Sequence, residues 1–155
     1  MFYTKIFKDT IHLNPSNIGG NIDRLVKTYL NQNVEGGCTR SGYTIAVLKI
    51  INISEGVILM NGYVRFRIEY EALVLNPVKN EIIEAFIVST NKMGYFAAVG
   101  PLSIFISTYQ IPQEISSSLN VNDRVRLRII GTKADLTSVY AIGTLNDEQL
   151  GIIHT

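Results

Sequence analysis

The sequence predicts two small domains in series: an α+β first half, then an all-β second half closed or nearly closed into a barrel. Three observations carry this expectation. Asn21–Asn31 repeats apolar residues at helical spacing, and the runs on either side alternate with a period of two. The last stretch, about 70 residues, holds five short strand-like runs and no long helical pattern. A length of 155 residues allows one domain or two small ones.

The first half opens with a strand over Met1–Leu13, in which Phe2, Ile6, Ile11 and Leu13 are the candidate buried residues. Asn14-Pro15-Ser16-Asn17 follows, with proline suited to a first helical turn and Ser or Asn suited to capping it. In the helix, Ile22, Leu25, Val26, Tyr29 and Leu30 fall on one face, and Asp23 near its start complements the helix dipole. After turn signals at Gly36-Gly37 and Ser41-Gly42, Tyr43–Ile51 is rich in β-branched residues. Asn52–Gly62 reads as a loop, yet it contains Val57-Ile58-Leu59-Met60. Loops normally run in water, so these four side chains either tuck under the sheet or dock into another protein. Tyr63–Leu75 then alternates, with Val64, Phe66, Ile68 and Tyr70 on one face and Arg65, Arg67, Glu69 and Glu71 on the other. A domain boundary is expected near Val78-Lys79-Asn80, giving domains over 1–79 and 80–155.

In the second half, Glu81–Asn91 is a strand with Ile83, Ala85 and Ile87 on one face. Gly94 marks a tight bend, and Tyr95–Val99 and Ser103–Ser107 are further strands. Gln110–Asn122 reads as loop. Asp123–Ile130 alternates, with Val125, Leu127 and Ile129 inward and Arg124, Arg126 and Arg128 outward. Gly131–Ser138 turns the chain and Val139–Leu145 returns.

Composition narrows the function. Hydrophobic residues make up 46% and charged residues 17%, too apolar for a disordered chain. A lone cysteine, Cys38, excludes an internal disulfide and reads as a small buried thiol. No apolar run reaches the roughly 20 residues of a membrane span, and Met1–Thr10 does not read as a signal peptide. The acceptor-like Asn52-Ile53-Ser54 would go unused in an intracellular chain. Net charge is +1, with about +3 in residues 1–80 and about −2 in residues 81–155. A protein holding a nucleic-acid backbone by charge alone would be far more basic, so any binding by the second half must lean on shape and stacking.

Catalytic signatures are missing. His12 and His154 lie near opposite ends, and with one cysteine they assemble no zinc spacing. There is no phosphate-binding glycine loop and no nucleophile elbow. Glu69 and Glu71 point the same way from one strand and read as a solvated edge. An enzyme built on Cys38 or on these two carboxylates lacks a complete constellation. Neither a metal nor a cofactor is expected.

Two features remain. Lys92-Met93-Gly94-Tyr95-Phe96 and Ile104-Phe105-Ile106-Ser107-Thr108-Tyr109 bring aromatics to neighbouring strands, where they either fill the core or stack on unpaired bases. Arg124, Arg126, Arg128 and Lys133 give a basic strand face and turn, either merely solvated or tracking a phosphate backbone. Together, in a five-stranded barrel, they favour an oligonucleotide-binding (OB) fold.

Several segments taken together carry a family likeness. In the first half they are Met1-Phe2-Tyr3, His12-Leu13-Asn14-Pro15 and Val34-Glu35-Gly36-Gly37-Cys38-Thr39. Gly56-Val57-Ile58, Gly62-Tyr63-Val64 and Pro77-Val78-Lys79-Asn80-Glu81 follow. In the second half they are Met93-Gly94 with Phe96, Val99-Gly100-Pro101-Leu102, Phe105-Ile106-Ser107 and Tyr140-Ala141-Ile142-Gly143. In this order, nearly end to end, they resemble the family of the seventh subunit of RNA polymerase II.

The resemblance implies an N-terminal tip domain, an antiparallel sheet wrapped on a helix, followed by an all-β OB-fold barrel. It implies a non-catalytic stalk subunit in the nucleus, paired with the fourth polymerase subunit. The tip would dock on the base of the polymerase clamp through Gly56, Val57, Ile58, Leu59, Met60 and Gly62. The barrel would contact single-stranded nascent RNA during initiation and elongation, through Phe96 and Phe105, with Met93, Lys92, Tyr109, Arg126 and Lys133 around them. Met93 stands where an aromatic is frequent in such barrels and stacks less well. Alone, the chain would expose a large apolar surface. The alternatives are the equivalent stalk subunit of polymerase III or I, or a free-standing RNA-binding adaptor. Three departures stand out: Leu59-Met60-Asn61-Gly62 replaces a PGxG tip, Asn80 replaces a linker glycine, and Gln113–Asn122 is short.

Overall fold

The computed structural model describes residues 1–154. They divide into two compact units, Phe2–Leu75 and, with Met1, the chain from Asn76 onward.

The first unit contains β1 (Phe2–Leu13), α1 (Ile22–Asn33), β2 (Cys38–Thr39), β3 (Gly42–Ile53), β4 (Val57–Ile58) and β5 (Val64–Leu75). The helix starts where the Asn21 side chain accepts a hydrogen bond from the Asp23 N–H at 3.0 Å, satisfying a donor the first turn leaves open. The strands pair antiparallel in the order β1-β5-β3-β2. Where β3 ends, β4 takes its place beside β5, with Val57 opposite Arg65 and Ile58 opposite Val64. Val26 and Leu30 of α1 share a core with Phe66, Ile68, Tyr70 and Ala72 of β5 and Ile11 of β1. Each fully buried Leu, Ile or Phe contributes roughly 1.5–3 kcal/mol relative to exposure.

Tyr70, buried in this core, donates from its hydroxyl to Asp9 Oδ2 at 3.0 Å. Burial pushes the Tyr70 pKa up, and the Asp9 charge pushes it further, so the hydroxyl stays a donor. Phe7 stacks on the Tyr70 ring at 5.5 Å between centroids.

The structure corrects the reading of β1. Ile11 is buried, but Phe2 and Ile6 are 45% and 54% exposed. Residues of even and odd number point to opposite faces of a strand, so these two cannot share a face with Ile11 and Leu13. Phe7, which packs on the core, takes the inward position. Glu69 and Glu71 do not lie on a sheet edge either: β5 is an inner strand, and they pair with Lys8 at 3.9 Å and Lys49 at 3.5 Å. Cys38 is half-buried.

The second unit contains β6 (Ile82–Asn91), β7 (Gly94–Val99), β8 (Leu102–Ser107), α2 (Gln113–Ser116), β9 (Arg124–Ala134), β10 (Val139–Thr144) and β11 (Gly151–Ile152). Pairing runs β6–β7–β8–β10–β9 and returns from β9 to β6, closing a five-stranded barrel. All contacts are antiparallel except β8–β10, which is parallel. This is the OB-type closure expected from the strand pattern. Alternate residues of three strands fill the interior: Ile83, Ala85 and Ile87 of β6, Leu102, Ile104 and Ile106 of β8, and Val125, Leu127 and Ile129 of β9.

Three boundaries differ from expectation. The segment after β8 is not plain loop: it forms a 3-10 turn over Thr108–Gln110 and then α2, and it buries Ile111 and Leu119. The strand β9 continues through Gly131 to Ala134 before the chain turns. Gly94 is not itself a bend but the first residue of β7, where a Cβ would lie 2.2 Å from the Ile106 carbonyl oxygen.

Gly94 therefore permits the close approach of β7 to β8. Gly94→Ala should destabilise the barrel by about 1–3 kcal/mol, the usual cost of overpacking. Gly131→Ala, where a Cβ meets nothing within 4 Å, should stay within about 0.5 kcal/mol. Urea unfolding of the full chain measures both, and equal midpoints for Gly94→Ala and wild type would refute the close-packing argument.

Candidate functional site

The barrel's outer surface is set by its inner one. Because Leu102, Ile104 and Ile106 of β8 point inward, Phe105 between them points outward. Phe96 of β7 is directly opposite Phe105. The two rings lie 5.2 Å apart between centroids at a tilt of 48°, both partly exposed. Parallel pairing then sets Ile142 of β10 beside Phe105, and Tyr140 beside Ser103. Both are exposed, at 48% and 44%. Lys133 of β9 stands opposite Tyr140. The result is a band of planar and aliphatic side chains with a cation at one margin, and rings of this kind offer unpaired bases a stacking surface.

Lys92 and Met93 form the two-residue loop between β6 and β7. Asn91 Oδ1 holds this loop by accepting from the backbone N–H of Met93 at 2.8 Å and of Gly94 at 3.1 Å. Thr108 N–H donates to the Met93 carbonyl, which brings Tyr109 to the same end of the barrel. Met93 is 72% and Tyr109 92% exposed. Five of the expected residues, Phe96, Phe105, Met93, Lys92 and Tyr109, thus lie along β7, β8 and the loops at one end of them, and Lys133 joins from β9.

Arg126 lies elsewhere on the barrel. It faces Glu84 of β6 in the pairing register and bonds it at 3.3 Å, and Arg124 bonds the same carboxylate. Arg128 pairs with Asp147 at 2.6 Å. Three arginines that read as a basic face are thus answered by two carboxylates. Tyr140 and Ile142, absent from the sequence-derived set, belong to the band. Only the β8–β10 pairing reveals them, and no local pattern announces a parallel pairing.

The other candidate site is the β4–β5 hairpin. Gly62 N–H donates to the Leu59 carbonyl at 3.0 Å, and Leu59 N–H to the Tyr63 carbonyl at 2.8 Å. Gly62 has φ +88°, a left-handed conformation natural to glycine at a hairpin turn. At Gly56 a Cβ would come within 3.0 Å of Val64 and Phe66, so only glycine lets the arm lie against β5. Gly56, Val57, Ile58, Leu59, Met60 and Gly62 all belong to this one projection. Val57 is 47% exposed, Ile58 79% and Met60 fully; Leu59 is half-buried. The segment expected as a loop is a hairpin, and its apolar run does not tuck under the sheet.

Among the described residues no group of three or more His, Cys, Asp or Glu is placed to hold a metal ion. No helix among them is long and apolar enough to cross a membrane.

Comparison with known proteins agrees with both units. Residues 8–63 match the family model of the SHS2 domain found in the N terminus of Rpb7p/Rpc25p/MJ0397. Residues 76–140 match the S1 RNA binding domain. The chain is 36% identical to DNA-directed RNA polymerase II subunit RPB7 of Glycine max, covering 99% of this chain and 97% of that one. It is 34% identical to subunit rpb7 of Dictyostelium discoideum, covering 99% of each. With subunit RPB7 of Saccharomyces cerevisiae it shares 31% identity, over 99% of this chain and all of that one. These three alignments each span 171 positions against 155 residues here, so the relatives carry residues that this chain lacks. The chain belongs to the family of the seventh subunit of DNA-directed RNA polymerase II.

Proposed function

We propose that this chain is a non-catalytic stalk subunit of RNA polymerase II, working in the nucleus by fitting rather than by chemistry. The observation that carries this reading is the apolar hairpin. Ile58 and Met60 stand in water at 79% and full exposure, each forgoing roughly 1.5–3 kcal/mol of burial. A partner surface restores that burial, and in this reading the partner is the polymerase core at the base of the clamp. A heterodimer with the fourth subunit fits the further apolar exposure of the first unit at Phe2, Tyr3, Ile6 and Leu48.

In this reading the barrel contacts emerging single-stranded RNA. Phe96 and Phe105 supply the stacking surface, Met93 and Tyr109 extend it, and Lys92 and Lys133 offer charge at its margins. Arg126, engaged by Glu84 on another part of the barrel, is left out of this stacking surface. With so few uncommitted cations, affinity should come from stacking and depend only weakly on salt.

Two measurements test the reading. Ile58→Asp with Met60→Asp should abolish co-purification of the full chain with the large polymerase subunits, while its thermal melting stays at the wild-type value. Undiminished co-purification would contradict docking through the hairpin. Phe96→Ala with Phe105→Ala should weaken binding of a single-stranded RNA by about 1–3 kcal/mol per stacked base, read by fluorescence anisotropy. Unchanged binding would place the RNA on another face.

A further inference from the structure

The outer face of β5 carries two arginines beside the apolar hairpin. Val57 is paired with Arg65, so these two side chains share one face of the sheet, while Ile58, paired with Val64, falls on the other face at the hairpin's end. Across the other edge of β5, His12 stands opposite Arg65 and Thr10 opposite Arg67. Arg67 also lines a groove of about 350 Å³ with Lys8, Asp9, Thr10, Asn52, Ser54 and Glu69.

Among the described residues no carboxylate forms an ion pair with either guanidinium group. Glu69 is engaged by Lys8 and Glu71 by Lys49. Asp9, which lines the same groove, is exposed and accepts a hydrogen bond from the Tyr70 hydroxyl. Glu55, the acidic residue nearest in sequence to the hairpin arm, makes no ion pair among the described residues. The side chains of Arg65 and Arg67 make no ion pair or hydrogen bond among the described residues either. The barrel is the contrast: each of its strand arginines, Arg124, Arg126 and Arg128, has a carboxylate within the same unit.

We propose that Arg65 and Arg67 are the polar half of the docking surface and that its occupant is an acidic protein surface. The aliphatic tip enters an apolar recess while the guanidinium groups meet carboxylates on its rim. This rests on reading the hairpin as the docking element. Charge complementarity defines the partner, since residues 1–80 carry about +3 and arginine pairs with carboxylates through a planar, two-pronged fork. A protein is favoured over RNA because Val57, Ile58 and Met60 are aliphatic, whereas bases stack on planar groups. Such a rim steers association and makes it depend on salt.

The test measures binding of the full chain, co-expressed with the fourth subunit, to polymerase core lacking both, at low and high salt. Arg65→Glu with Arg67→Glu should slow association about tenfold or more at low salt and flatten the salt dependence. Arg65→Gln with Arg67→Gln, a milder change to the fold, should do the same to a smaller degree. Arg65→Lys with Arg67→Lys should restore most of the rate. Wild-type rates and salt dependence in both the Glu and Gln variants would overturn the inference. If Ile58→Asp with Met60→Asp still abolishes binding in that case, the docking reading survives alone. If neither the arginine nor the tip variants change binding, the docking reading fails and the inference with it. Loss of RNA crosslinking by the Glu variant with core binding intact would identify RNA as the occupant and also overturn the proposal.

Discussion

The backbone of β5 is the constraint on which the first unit depends. One edge of this twelve-residue strand pairs with β1 along its whole length, and the other is shared between β3 and β4. Its inward residues, Phe66, Ile68, Tyr70 and Ala72, meet α1 through Val26 and Leu30. Its outward residues cannot reach that core and are left for other work. A one-residue slip would exchange the two sets and drive Arg65 and Arg67 into the apolar layer, where unpaired charge is prohibitive. The strand's alternation therefore decides both where the unit folds and which side chains it presents.

The hairpin is an extension of that strand. It needs glycine at position 56 to lie against Val64 and Phe66, and glycine at position 62 to turn. These contacts anchor its base and leave Ile58 and Met60 exposed. Surface apolar residues scattered singly are ordinary, but a projecting cluster held in shape by its own backbone bonds is a feature of binding surfaces. The barrel shows a different economy. Its arginines are matched by Glu84 and Asp147, its interior is filled, and what it offers outside is a short band of rings. One unit presents aliphatic bulk and open charge, the other planar groups and matched charge.

Much of this was legible in the sequence wherever a local period speaks for itself. The inward and outward sets of β5 and β9 follow from alternation, and α1 follows from its apolar face and its Asn21 cap. The reading failed where partners are far apart along the chain. In β1, large apolar residues occur on both parities, and only the pairing with β5 shows that Phe7 and Ile11 are inward while Phe2 and Ile6 are not. That Arg126 is engaged depends on Glu84, 42 residues away, and that Tyr140 and Ile142 join Phe105 depends on a parallel pairing. The short α2 lies below the length at which helical periodicity is readable.

The central claim is that the hairpin exists to be covered. Oxidative footprinting reads this directly, because thioether oxidation follows exposure. Met60 is fully exposed in the free chain and Met93, on the barrel, is 72% exposed and serves as an internal reference. In RNA-free assembled polymerase, Met60 should become resistant to peroxide while Met93 keeps oxidising. Equal oxidation of Met60 in the free and the assembled protein would contradict the account.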